Sequence, residues 1–160
     1  MSFILKILSM FLLLLLGCSS QEKNIYIESP DKSISVKVLK RNNDFIYNVN
    51  FNGKTIIQDS KVGLMFKNNF EFPTNHNVKK VEKGFHKNTW ELPWGEKRVV
   101  KDIYNEIIIS LTNTNNLETG KMLFRAYDDG IAFRYQMNDN KKNQDSLIII
   151  NELTEFNLSE

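Results

Sequence analysis

Apolar and polar residues alternate with a period of two along most of this chain, the spacing at which a strand turns one face to a core and the other to water. Ile34, Val36 and Val38 alternate with Ser33, Ser35 and Lys37, and Phe45, Tyr47, Val49 and Phe51 interleave with Asn48 and Asn50. Asn52-Gly53 then turns the chain ahead of Thr55-Ile56-Ile57, the strongest short-range hairpin signal. Further strands are predicted at Val62–Phe66, Glu106–Thr112, Lys121–Tyr127, Ile131–Met137 and Ser146–Asn151. Asp129-Gly130 separates two of them and reads as a second hairpin, with Gly130 supplying the positive φ of a primed turn. Lys67–Thr89 is polar with aromatic patches and reads as a loop with room for one short strand. Beyond residue 17 no segment keeps a 3.6-residue apolar period long enough for a helix. Turn signals recur about every eight to twelve residues, and the expected fold class is all-β, an antiparallel β-sandwich.

The first residues follow another pattern. Lys6 precedes an apolar run from Ile7 to Leu16, and Leu15-Leu16-Gly17-Cys18 closes it. The run is shorter than the roughly 20 residues of a membrane span and ends in small residues, as a secretory leader does. Cys18 after Leu-Leu-Gly looks like a bacterial lipobox, so residues 1–17 are expected to be a signal peptide, Cys18 the lipidation site and residues 18–24 a lipidated tether. Acyl chains anchor through roughly 0.8 kcal/mol per buried methylene, so the expected location is the bacterial cell envelope, at the periplasm or cell surface. Cys18 is the only cysteine, which leaves no intrachain disulfide and no cysteine-based metal site. Residues 25–160 are enough for one domain with a core. A net charge of +2 with 25% charged residues gives no basic stripe for nucleic acid. Lys79, Lys80, Lys83 and Lys87 cluster, and a solvated surface explains them.

Chemistry-bearing residues concentrate later. Trp90-Glu91-Leu92-Pro93-Trp94-Gly95-Glu96 places two indoles four apart on a backbone bent by Pro93 and Gly95. Flat aromatic faces stack on sugars, and the indole N–H reaches a hydroxyl, yet Trp fills cores more often than it meets ligands. Packing against a neighbouring domain is the third reading, and Trp90, Trp94 and Glu96 stand as candidates for carbohydrate binding or domain packing. Glu96, Glu106, Asp128, Asp129 and Glu152 are the carboxylates of interest. Asp128 and Asp129 have a local reason beside Gly130, since Asp side chains bond nearby backbone N–H groups in turns. Arg125 and Arg134 alternate with Phe124, Phe133 and Tyr135, and a cross-strand ion pair is the expected role. His76 and His86 have no partner at ligand spacing, and neither a Gly-x-Ser-x-Gly elbow nor a phosphate-binding Gly loop occurs.

Taken in order, Ser29-Pro30-Asp31, Val62-Gly63-Leu64, the Trp block, Tyr104-Asn105-Glu106, Tyr127-Asp128-Asp129-Gly130-Ile131-Ala132-Phe133-Arg134-Tyr135 and Glu152-Leu153-Thr154-Glu155-Phe156 resemble the amino-terminal β-domain of glycoside hydrolase family 97. The resemblance implies part of a galactose-mutarotase-like supersandwich, longer when complete, placed ahead of a (β/α)8 barrel that hydrolyses α-glucosides or α-galactosides. The acid, base and nucleophile belong to that barrel, so no catalytic residue is carried onto this chain, and it is expected to be inactive alone. Calcium serves the full-length family, and no ligand for it is identifiable here. The partners implied are α-glycosides, a membrane through the lipid anchor and a catalytic barrel in cis or in trans; nucleic acid is not among them. A stand-alone lipoprotein that binds glycans, or a β-domain pairing with a separately encoded catalytic chain, is the alternative. On this reading Ser146–Glu160, with Leu147, Ile148, Ile149 and Ile150, is expected to end as an unpaired edge prone to self-association.

Overall fold

The computed structural model describes residues 25–95, 98–138 and 147–160. The leader, the tether, Cys18 and Glu96 therefore lie outside the described residues. The described residues form eleven strands: β1 (Ile25–Glu28), β2 (Ile34–Arg41), β3 (Asp44–Phe51), β4 (Lys54–Val62), β5 (Leu64–Phe66), β6 (Glu71–Phe72), β7 (Asn77–Glu91), β8 (Val99–Thr112), β9 (Glu118–Tyr127), β10 (Gly130–Met137) and β11 (Ile149–Glu152). They form two four-stranded antiparallel sheets, ordered β1-β2-β3-β4 and β10-β9-β8-β7, and a small third sheet ordered β11-β5-β6. The expected antiparallel sandwich is what the chain builds.

The period of two explains why. Val36 and Val38 of β2, and Phe45, Tyr47 and Val49 of β3, turn inward and are almost fully enclosed, against Ile107, Ile109, Leu111, Met122, Phe124 and Ala126 from the other sheet. Tyr47 bridges the layers, its ring 6.2 Å from Phe124 and 5.8 Å from Phe133 between centroids. Its hydroxyl donates to the Glu155 carbonyl at 2.8 Å, which satisfies the one polar atom this side chain brings inside, and burial pushes its pKa up to about 12. Gly120 permits the closest approach: a Cβ there would lie 2.5 Å from the Gln136 carbonyl oxygen and 3.1 Å from the Phe72 ring.

Asn52 and Gly53 both adopt positive φ, at 48° and 81°, so the β3–β4 hairpin has the primed turn its sequence predicts. The β9–β10 hairpin does not. Its loop residues are Asp128 and Asp129, since Tyr127 already pairs with Gly130, and none of the three takes positive φ. Asp128 is also not a local turn-maker: its Oδ1 accepts from the Asp31 backbone N–H at 2.9 Å, tying this hairpin to the β1–β2 turn.

Two further expectations are corrected. Lys67–Thr89 is no loop; it holds β6 and most of the 15-residue β7, paired along its length with β8. Nor does the C-terminal segment end unpaired. β11 pairs with β5, and the residues after it follow β4: the Gln58 N–H donates to the Asn157 carbonyl at 2.8 Å, the Glu155 N–H to Lys61 at 2.8 Å and the Ser159 N–H to Ile56 at 3.1 Å. The tail thus covers the open edge of the first sheet, one of the ways a protein blunts such an edge. Leu147, Ile148, Ile149 and Ile150 nonetheless stay about half exposed.

Candidate functional site

β7 and β8 run on past the sandwich. Their inner ends wall the core, but from Phe85 to Glu91 the residues of β7 are exposed, and so is Val99 at the start of β8. The ladder continues in unbroken register, His86 opposite Tyr104, Asn88 opposite Asp102 and Trp90 opposite Val100, so backbone hydrogen bonding carries this arm where packing stops. At its tip the Leu92 N–H donates to the Arg98 carbonyl at 2.8 Å, and Arg98 meets Glu91 at 3.2 Å. Gly95 bends the tip at φ +118°, a conformation that residues with a Cβ rarely take.

Both tryptophans belong to this arm. Trp90 is 45% exposed and Trp94 82%, so the structure assigns neither to the core. Phe85, Leu92 and Val99 are exposed beside them. An open hollow of about 530 Å³ lies between Glu91, Leu92, Pro93, Trp94, Gly95 and Arg98.

At the root of the arm lies a polar network on the outer face of the second sheet. Glu106, buried to 6%, receives the Arg125 Nε–H at 2.7 Å from directly across the ladder, the cross-strand pair expected for that arginine. The Arg125 guanidinium sits 4.3 Å from the centre of the Tyr104 ring, a cation–π distance, and His86 stacks on that ring with centroids 4.8 Å apart. The His86 Nε2 is 3.7 Å from the second Glu106 oxygen, and Tyr127 flanks Tyr104 at 5.0 Å. The hydrogen bond that Arg125 donates to Glu106 pushes the Arg125 pKa above its ordinary value. Gly84 stands opposite Glu106 on β7 and Ala132 opposite Arg125 on β10, so only small residues flank the pair. Sequence reasoning expected a cross-strand acid for Arg125 without naming Glu106, and weighed His86 only as a metal ligand. The signal was the i, i+2 pairs Tyr104/Glu106 and Arg125/Tyr127, each of which shares one sheet face once the strands are aligned.

Among the described residues no three His, Cys, Asp or Glu side chains converge as a metal site.

Comparison with known proteins decides the lineage. The family model for the glycosyl-hydrolase 97 N-terminal domain matches residues 27–160. The chain belongs to glycoside hydrolase family 97. Among solved structures, a family 97 enzyme from Pseudoalteromonas sp. strain K8 in complex with panose superposes with a TM-score of 0.72 at 29% identity, over 82% of this chain and 20% of that one. The same enzyme in complex with acarbose gives the same figures. A β-arabinopyranosidase superposes with a TM-score of 0.74 at 22% identity over 85% of this chain, a likeness of fold alone. The chain therefore spans about a fifth of the length of the enzymes it matches. What this family 97 domain presents outward, on its own evidence, is an aromatic arm on a packed body.

Proposed function

We propose that this chain is the non-catalytic β-domain of an α-glycoside hydrolase, and that its β7–β8 arm offers Trp90 and Trp94 to carbohydrate. The observation that carries the reading is the exposure of both indoles, 45% and 82%, at the end of a ribbon whose other end is rooted in the core. A flat apolar face with one N–H suits the C–H-rich face of a sugar ring. The complexes of a family 97 relative with panose and acarbose support α-linked oligosaccharides as the class to test. Hydrolysis needs two carboxyl groups astride the scissile bond, and that role is assigned to the family's catalytic barrel, joined in the same polypeptide or supplied by a separate chain.

The test is a tryptophan-fluorescence titration of the full chain with panose, repeated on Trp90→Ala and Trp94→Ala. Saturable quenching, weakened about tenfold or more by either substitution, is expected for lost stacking. A flat titration would sink the carbohydrate reading and favour the second: Phe85, Leu92 and Val99, also exposed on the arm, suit burial against a catalytic domain.

The lipobox reading places the domain in the bacterial envelope through an acylated Cys18. Labelled palmitate should enter the wild-type chain and not Cys18→Ser; equal labelling would remove the anchor from the account.

A further inference from the structure

Apart from the tip, a cleft among the described residues combines an open volume with convergent polar groups. It opens where the edge strands β1 and β7 approach each other, has a volume of about 320 Å³, and is lined by Tyr26 and Glu28 of β1, Lys83, Gly84 and Phe85 of β7, and Asn105 and Glu106 of β8. That volume is at the low end of the roughly 300–1,000 Å³ of ligand sites, room for a short ligand and not for a long chain.

The walls are held in place. The Asn105 side chain donates to the Glu28 carbonyl at 2.8 Å and fastens β8 to β1. The Tyr26 hydroxyl donates to Glu28 Oε1 at 2.7 Å, which orients the carboxylate and leaves its second oxygen without a partner among the described residues. Arg125 holds one oxygen of Glu106 from the far side. Lys83 makes no ion pair among the described residues, and the Phe85 ring is 60% exposed.

Charge narrows the ligand class. Arg125 neutralises Glu106 on the outer face of the sheet, which leaves the Glu28 carboxylate and the Lys83 ammonium as the cleft's own charges, and one of each sign favours neither an anion nor a cation. What remains suited is a neutral ligand that needs acceptors and donors around an apolar platform: carboxylate oxygens and an ammonium for hydroxyl groups, and Phe85 for a ring's C–H face.

We propose that the β1–β7 cleft is a second carbohydrate subsite, for a short neutral oligosaccharide, in which Phe85 is the platform, Glu28 accepts from hydroxyl groups and Lys83 donates to them. It rests on the same reading of the chain as a carbohydrate-handling domain, but on residues separate from the tryptophan tip.

The experiment is saturation-transfer NMR of maltotriose with the full chain in detergent. It compares wild type, Phe85→Ala, Glu28→Gln, Lys83→Met and the double variant Trp90→Ala/Trp94→Ala, each first checked for an unchanged melting curve. Loss of one stacking face or one charge-assisted hydrogen bond should weaken binding about tenfold in Phe85→Ala and in Glu28→Gln. Binding should persist in the double tryptophan variant. Lys83→Met removes an exposed charge and tests the cleft without touching its hydrogen-bonded wall. Unchanged affinity in all three cleft variants overturns the subsite. Abolition of all binding by the tryptophan substitutions alone also overturns it while upholding the tip. Loss in the cleft variants with an indifferent tip upholds the subsite and discards the tip.

Discussion

The two halves of the β7–β8 ribbon share one antiparallel ladder, shifted once between Val78 and Lys80, and little else. Toward its inner end, Ile107, Ile109 and Leu111 are enclosed by the opposite sheet, and Val78 and Val81 pack at the margin of the same core. Toward its outer end, Phe85 is 60% and Trp90 45% exposed, on strands that continue to pair residue by residue. Pairing and burial are thus separable. A ladder satisfies the backbone wherever two strands run side by side, whereas apolar area stabilises only what it hides from water, at about 25 cal/mol per Å². The outer half gains little of the second term, so its aromatic residues are not explained by the stability of this domain. They form the exposed apolar surface on which the proposed carbohydrate or domain contact rests.

The strongest way to break this contrast is a core truncation. Phe124→Ala, opposite Tyr47 and fully buried, should cost about 3–5 kcal/mol in urea unfolding, the transfer and cavity cost of a lost aromatic ring. A cost under about 1 kcal/mol would mean the body is no better packed than the arm.

The second concerns the turn that ties the sheets together near the arm's root. Asp31 accepts from the Ser29 hydroxyl at 2.6 Å and from the backbone N–H and hydroxyl of Ser33, and these bonds hold its carboxyl at about 2, below an ordinary 3.8. A folded pKa below the unfolded one stabilises fully above the unfolded value and is lost as pH falls through the folded one. Asp31→Asn should therefore be less stable than wild type at pH 7, with the difference shrinking between pH 4 and pH 2. A gap that stays constant across that window, followed by chemical denaturation, would show that the carboxylate contributes nothing to the body.

The smallest effect is expected at the tip. Trp94→Ala should change stability by no more than about 0.5 kcal/mol, because an exposed side chain leaves no cavity. A loss of 2 kcal/mol or more would place Trp94 in a packed environment and dissolve the contrast.

Legibility followed burial. β2, β3 and β9 were readable because one face of each is turned into the core, and β10 because one face is partly buried and the other wet, which writes alternation into the residues. β7 was not. With Lys79, Lys80, Glu82, Lys83 and Lys87 exposed along a strand that has little buried face, its sequence resembles a loop, and only β8 beside it makes it a strand. β8 was read from Glu106 and begins at Val99 for the same reason: its outer residues lack a core to alternate against. The tryptophans were found as a motif, but whether they lay inside or outside could not be read, since Trp serves both. The β9–β10 turn was located correctly and given the wrong backbone, because an Asp-Gly pair permits positive φ without requiring it.

By itself, then, the chain's amino-acid order determined the class of fold, most strand positions and the β3–β4 turn, because these depend on residues close together and on a period of two. The family's motifs were legible there too. Tertiary structure alone decided that Glu106, Arg125, Tyr104 and His86 form one network, that the tail from Leu153 onward covers β4, and that the indoles stand in water. Each of these depends on strands distant in sequence lying side by side, and the energy that aligns them is the burial of a shared core, which no local pattern contains.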